Sequence, residues 1–224
     1  MLLGAYTAGA ADVLTQPGSK AVPRPTFSMG RLSVPKRTWL YSDRTSLPGG
    51  KILVAEAKQV GPNRYRESYG RYLEDFEVGD IYEHRPGRTI TESDNTHFTL
   101  LTMNQHPIHF DAEYAAKSEF GKPLVNSCLT LSIVAGMSVS DVSQKAVANL
   151  GWDKITMPVP VFVGDTLYAE SEVLDKRQSK SRPTQGIVTV KTMGKKQDGT
   201  IIMTYERTVL VPKRGHAVDD GPDL

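Results

Sequence analysis

The chain has 224 residues, 39% hydrophobic and 23% charged, with a net charge of +2, enough for one ordinary domain with a sizeable core and too little for two comfortable ones. No apolar run approaches the ~18 residues of a membrane span, and no basic stripe with interleaved aromatics or helix-turn-helix pattern is present, so neither membrane insertion nor nucleic-acid binding is indicated. The single cysteine, Cys128, rules out an intrachain disulfide, suits a reducing, cytoplasmic setting, and reads as a small buried side chain.

Charge and pattern divide the chain. Residues 1–70 hold ten Lys or Arg against four Asp or Glu (net +6), leaving seventeen against twenty-one (net −4) for the rest. Stretches such as QPGSKAVPRPTFSMG and SDRTSLPGG carry no period of 2 or 3.6, so residues 1–70 read as an irregular or disordered extension. MLLGAYTAGAADVL allows one short helix within it. A low-acid leader also suits an organelle transit peptide, but the Arg-rich amphipathic helix such a peptide forms is not visible. The folded domain is expected over 71–214, followed by a short C-terminal tail at 215–224.

Within the domain, FEVGD at 76–80 is a turn and IYEHRPGRTI a strand, which Pro86-Gly87 confines to an edge or a bulge. Thr91 and Asp94 have the spacing of a capping box, and Phe98, Leu100, Leu101 and Met103 supply the apolar face of a short helix that must stop before Pro107. DAEYAAKSE at 111–119 is a short surface helix ended by Gly121. NSCLTLSIVAGMSVSDVS opens with two good N-caps, Asn126 and Ser127, and is apolar on all sides, which predicts a buried helix. Strand-like runs then begin at Thr166, Gly186 and Thr200, the last two joined by a QDGT turn. An antiparallel meander covering one central helix is an α+β arrangement, a single hot-dog fold.

EDFEVGDIYEH, NQHPIHFDAEYA and PVFVGDTLYAESEVL, in that order, resemble the MaoC-like (R)-specific enoyl-CoA hydratases and dehydratases, which add or remove water across the double bond of an acyl-CoA thioester. LLTMNQHPIHFDAEYA with LGWDKITMPVPVFVGDTL is similar to the subgroup acting on itaconyl-, mesaconyl- or methylmalyl-CoA. The resemblance implies a hydro-lyase for a short, branched or dicarboxylic enoyl-CoA, needing no metal or redox cofactor and working as a homodimer or larger homo-oligomer. The family motif Gly-Asp-x-Asn-Pro-x-His falls on TMNQHPIH, with Met103 at the Gly, Asn104 at the Asp, His106 at the Asn and His109 at the His. The resemblance therefore implies Asn104 and His109 as the catalytic pair, with the base kept and the carboxylate lost.

An imidazole titrates nearest neutrality and can take and return a proton, whereas an amide can only orient a water or bond the thioester. Asp111 is the nearest carboxylate in sequence and is read as the cap of the following helix. The resemblance places a thioester-oxygen donor at Ser127, and the free N–H groups at the start of the apolar helix, Asn126 to Cys128, suit that task as well as simple capping. Arg182 is a candidate for the free carboxylate of a dicarboxylic acyl group, with a solvated loop arginine as the plainer alternative. His84 and His97 read as packing or surface residues, and His106 with His109 lacks the third ligand of a metal site. Two other functions fit the lost carboxylate. One is a hot-dog thioesterase using Glu92, Asp94 or Asp111, and the other is a non-catalytic acyl-CoA binding subunit. Because regular periodicity begins only near Tyr72, removing about the first 60 residues should leave a cooperatively melting domain; an insoluble truncation, or one without a cooperative melt, would contradict that boundary.

Overall fold

The computed structural model describes residues 56–221, so the leader helix expected at 1–14 lies outside the described residues. Residues 56–68, expected to be irregular, form a hairpin of β1 (Glu56–Gly61) and β2 (Arg64–Ser68). Its turn uses Pro62 followed by Asn63 at φ 55°, a left-handed conformation that Asn tolerates better than most residues. The domain proper runs β3 (Ile81–Thr89), α1 (Glu92–Leu101), α2 (Ala112–Ala116), α3 (Ser127–Met137), β4 (Ala148–Thr156), β5 (Thr166–Gln178), β6 (Gln185–Lys196) and β7 (Ile201–Pro212). The last four strands with β3 make one antiparallel sheet in the order β3-β5-β6-β7-β4, with α3 packed on one face. This is the α+β hot-dog arrangement.

The long strands alternate as period 2 requires, with Leu167, Ala169, Ser171 and Val173 buried on β5 and Val188, Val190 and Thr192 on β6. β3 is an edge strand whose register breaks between His84 and Arg88, around Pro86-Gly87, as the proline demands. β4 carried no readable strand signal. Two register shifts, at Asn149/Gly151 and Asp153/Thr156, and Lys154 at φ 51° interrupt its alternation, so it pairs with β7 without showing a period.

Two expected burials are reversed. Only Leu129, Thr130 and Val134 of α3 are buried; Cys128, Ser132 and Gly136 form an exposed face. Cys128 is therefore not a core residue, because position 128 falls on the side of α3 turned away from the sheet. In α1 the buried residues are Asn95 and Thr99, while Leu100, Leu101 and Met103 are exposed at 51%, 83% and 83%. The inner face of α1 is polar because it meets backbone groups of the site, described below. α3 approaches the sheet at Gly194, where an added Cβ would stand 2.9 Å from Val134 Cγ2; a larger residue there would push the helix outward.

A polar seam divides the core. One apolar cluster includes Ile90, Leu129, Val134, Leu167 and Met203, and a second includes Phe76, Val142, Val173, Val188 and Val209. Between them lie Ser171, Thr192 and Tyr205, side by side on β5, β6 and β7, with His84 from β3. The fully buried His84 donates from Nδ1 to the Asp141 carboxylate at 2.8 Å, which leaves Nε2 to accept from the Ser171 hydroxyl at 2.8 Å; Ser171 in turn lies 2.8 Å from Thr192 Oγ1. The seam ties the turn after α3, where Asp141 sits, to three strands. The C-terminal segment 215–221 is not a loose tail: Asp219 pairs with Lys145, and Tyr72 donates its hydroxyl to Asp220.

His84→Ala should cost about 2–3 kcal/mol, because it leaves a cavity in the seam and removes one hydrogen-bond partner each from the Ser171 hydroxyl and the Asp141 carboxylate. Denaturant titration measures it, and a change below ~0.5 kcal/mol, the usual surface range, would mean that the seam is energetically idle.

Candidate active site

The site is built on the chain that leaves α1. Thr91 and Asp94 form the expected capping box, Thr91 Oγ1 accepting from Asp94 N (3.1 Å) and Asp94 from Thr91 N (2.9 Å). Asp94 also pairs with Arg88 at 2.6 Å. The Thr91 N–H is the foremost cause holding the Asp94 carboxyl below its ordinary range. After α1 the backbone turns through Met103 at φ 60°, the position where the resembling motif has glycine, for which that conformation is free of strain. Asn104 Oδ1 then accepts from His106 N at 3.0 Å, and His106 Nδ1 accepts from Ile108 N at 3.2 Å, closing a short 3-10 turn over Pro107–His109 with the proline at its first position.

His109 leaves this turn half-buried, with Nδ1 2.8 Å from the carbonyl oxygen of Leu124. A carbonyl only accepts, so Nδ1 carries the proton and Nε2 keeps its lone pair in the neutral ring. Asn95, 1% exposed, fixes both ends of that bond. Its amide donates to His109 O (2.8 Å) and Leu124 O (3.1 Å), and its Oδ1 accepts from Asn126 N (2.8 Å). Thr99, one turn along α1, accepts from Asn126 Nδ2 at 3.3 Å. Two buried polar residues of α1 thus align the histidine, the 124–126 segment and the start of α3.

Asn126 is the N-cap of α3, its Oδ1 accepting from Cys128 N at 2.9 Å. With its oxygen on Cys128 and its amide on Thr99, this 3% exposed side chain positions the helix start rather than presenting itself to a ligand. Ser127 is the first residue of α3, so its N–H has no partner within the helix and points out of the positive end of the dipole. Ser127 is exposed and helps wall a cavity of about 270 Å³ with Phe120, Leu124, Met157, Val161 and Ile202. His109 walls a second cavity of about 250 Å³ with Asn95, Phe110, Lys122 and Val163. The segment 122–127 contributes to both cavities.

Of the residues anticipated from sequence, His109 and Asn126 are linked through Asn95, Asn104 closes the turn before His109, Ser127 walls the neighbouring cavity, and Arg182 lies apart from all of them. The His109 cavity reaches Val163, just before β5, while Arg182 lies beyond the far end of that 13-residue strand, about 40 Å away at ~3.3 Å per residue. There Arg182 is exposed and bonds Gln185, a solvated loop arginine within this chain. Asp111 caps α2, accepting from Tyr114 N at 3.0 Å, as its spacing suggested. Asn95 and Thr99 gave no signal in sequence beyond being polar on a helix, and only their burial reveals them. Among the described residues, no three His, Cys, Asp or Glu side chains converge as a metal site needs.

Comparison with known proteins matches this arrangement to one family. The model of the mesaconyl-CoA hydratase family matches residues 61–224. A mesaconyl-CoA hydratase of Haloarcula marismortui is 35% identical over 68% of this chain and 43% of its own. A beta-methylmalyl-CoA dehydratase of Chloroflexus aurantiacus is 34% identical over 65% and 41%. The chain spans less than half the length of these relatives. The crystal structure of a MaoC-like dehydratase from Rhodospirillum rubrum superposes with a TM-score of 0.58 at 28% identity, over 65% of this chain and 99% of that one. With the family model covering most of its length, the chain belongs to the mesaconyl-CoA hydratase family, within the MaoC-like hydratases.

Proposed function

We propose that the protein reversibly hydrates a short enoyl-CoA, branched or dicarboxylic in its acyl part, using His109 as the base and the Ser127 N–H as the donor to the thioester oxygen. The observation that carries this reading is the bond from His109 Nδ1 to the Leu124 carbonyl at 2.8 Å. It leaves Nε2 bare on a ring that walls a cavity, and three residues beyond Leu124 lies a helix-start N–H with no partner within its helix. In hydration, Nε2 takes a proton from water as the water oxygen bonds to Cβ. The double-bond electrons move onto the thioester oxygen, whose charge the Ser127 N–H and the α3 dipole offset, and His109 then returns a proton to Cα. Dehydration is the reverse.

The names of the relatives, a mesaconyl-CoA hydratase and a beta-methylmalyl-CoA dehydratase, favour a C5 dicarboxylic thioester. Within the chain, Lys122 is a cation on the wall of the His109 cavity. A thioesterase reading has little left to work with: Asp94 is held by Thr91 and Arg88, Asp111 caps α2, and Glu92 alone of the three lines the His109 cavity. A homodimer completes the proposal. The exposed small-residue face of α3 floors a groove of about 840 Å³ with Phe98, Ile133 and Met137, and β3 and β4 are open edges, so a second copy covering α3 would bury what one chain leaves in water. Among the described residues no helix is long and apolar enough to cross a membrane, and we place the enzyme in the cytoplasm.

Turnover of crotonyl-, mesaconyl- and itaconyl-CoA tests the activity. Loss of enoyl absorbance without release of thiol is expected, whereas free thiol would indicate hydrolysis and binding without either a non-catalytic module. His109→Ala should lower the rate by about 10²- to 10⁴-fold and abolish the acid limb of the pH profile; retention of both would remove His109 from the chemistry. Ser127→Ala should cost mainly the local hydroxyl, whereas Ser127→Pro, which removes the N–H, should abolish turnover in a folded protein. Equal losses would point to the hydroxyl.

A further inference from the structure

The loop that carries His109 also holds a second histidine, which the proposed chemistry leaves unused. His106 is exposed, and its ring centroid lies 6.0 Å from that of His109, at 60° between planes, and 5.9 Å from the ring of Tyr114. The two imidazoles are locked in opposite senses by the backbone. His109 Nδ1 faces a carbonyl and must donate, so its Nε2 accepts. His106 Nδ1 faces the Ile108 N–H at 3.2 Å and must accept, so the neutral ring carries its proton on Nε2. One loop therefore presents a bare acceptor nitrogen and a protonated donor nitrogen on neighbouring rings whose centroids lie 6.0 Å apart.

Asn104 cannot fill the same role as well. Its Oδ1 is held by the His106 N–H at 3.0 Å, which leaves only its Nδ2–H donors, on a shorter side chain than the His106 ring. Resting on the hydratase reading above, we infer that His106 is a second working histidine, whose Nε2–H holds the oxygen that is added to or expelled from Cβ. In dehydration His109 Nε2–H gives its proton to the departing hydroxyl while His106 donates a hydrogen bond to the same oxygen and keeps its own proton. In hydration the water rests between the two rings, donating to His109 Nε2 and accepting from His106 Nε2–H. No net proton passes through His106, so it needs only its neutral state. This is the use of a neutral imidazole as an electrophilic donor.

The test separates that role from simple capping of the 107–109 turn. His106→Asn retains an acceptor for the Ile108 N–H but has no distal donor, and His106→Ala has neither. With the enoyl-CoA that wild type hydrates fastest, His106→Asn should melt like wild type yet lose kcat by at least ~10-fold, with KM within ~3-fold. In the double variant Asn104→Asp/His106→Asn, a carboxylate has one oxygen for the backbone and a second for the water, so kcat should recover. His106→Asn with wild-type kcat would overturn the inference and leave His106 a cap, as would a slow His106→Asn that the second substitution does not restore. If the asparagine variant does not fold, side-chain ¹⁵N shifts of wild-type His106 keep the inference open to refutation, since protonation at Nδ1 would overturn it. Absence of turnover by wild type on every enoyl-CoA would instead remove the hydratase reading, and this inference with it.

Discussion

One hydrogen bond organises the site, that from His109 Nδ1–H to the carbonyl of Leu124, at 2.8 Å. It sets the tautomer of the histidine, and through the tautomer it decides which nitrogen can accept a proton. A single such bond contributes only about 0.5–1.5 kcal/mol, so it needs reinforcement. Asn95 supplies it from α1, with two donations into the same two carbonyl-bearing residues and one acceptance from Asn126. The buried, polar inner face of α1 follows from this need. An apolar residue at 95 would take that partner from backbone groups of residues 109, 124 and 126, leaving His109 O and Asn126 N without the side-chain bond they have here, and a buried group orphaned in this way costs about 1–3 kcal/mol. Packing alone would favour the opposite orientation, with Leu100 and Leu101 turned inward. The helix instead exposes them.

The same logic of charge without a carboxylate extends to α3. Asn126 satisfies the Cys128 N–H and anchors itself on Thr99, so the helix start is held rigidly while the Ser127 N–H has no partner among the described residues. A preorganised donor of this kind needs no reorganisation as charge develops on a thioester oxygen. The polar seam of His84, Asp141 and Ser171 secures the other end, joining the turn after α3 to β3 and β5. Gly194 sets how closely the helix rides on β6. Both ends of α3 are thus held by side-chain hydrogen bonds, while Leu129 and Val134 pack its inner face into the core.

Much of this was legible in the residues. The Thr91–Asp94 spacing marked the start of α1, Pro86-Gly87 marked β3 as an edge, and the alternation of TLYAESEVL marked β5, because each of these signals is local and acts through the backbone. TMNQHPIHFD located His109 and Asn104, and Asn126-Ser127 located the start of α3. What stayed hidden depends on tertiary contact. β4 has no period because two bulges and a left-handed lysine break it. Asn95 and His84 are polar residues whose burial only the fold creates. Arg182 was plausible for a carboxylate by chemistry alone, but it sits beyond the far end of a 13-residue strand from the cavity. The composition of α3, apolar all round, reads as full burial when one chain is considered, whereas a single sheet can cover only one side of it.

The central claim, that the Leu124 carbonyl fixes His109 with its proton on Nδ1 and a bare Nε2, can be measured without any substrate. Long-range ¹H–¹⁵N correlation spectra of protein labelled at its five histidines, with the His109 signals assigned by their loss in His109→Gln, report the protonation of each ring nitrogen above the imidazolium range. The account predicts a protonated Nδ1 and an unprotonated Nε2 for His109, changing to the other tautomer or to rapid averaging when Asn95 is replaced by leucine. A His109 protonated on Nε2 in the wild-type protein, or one already averaging between tautomers, would contradict it.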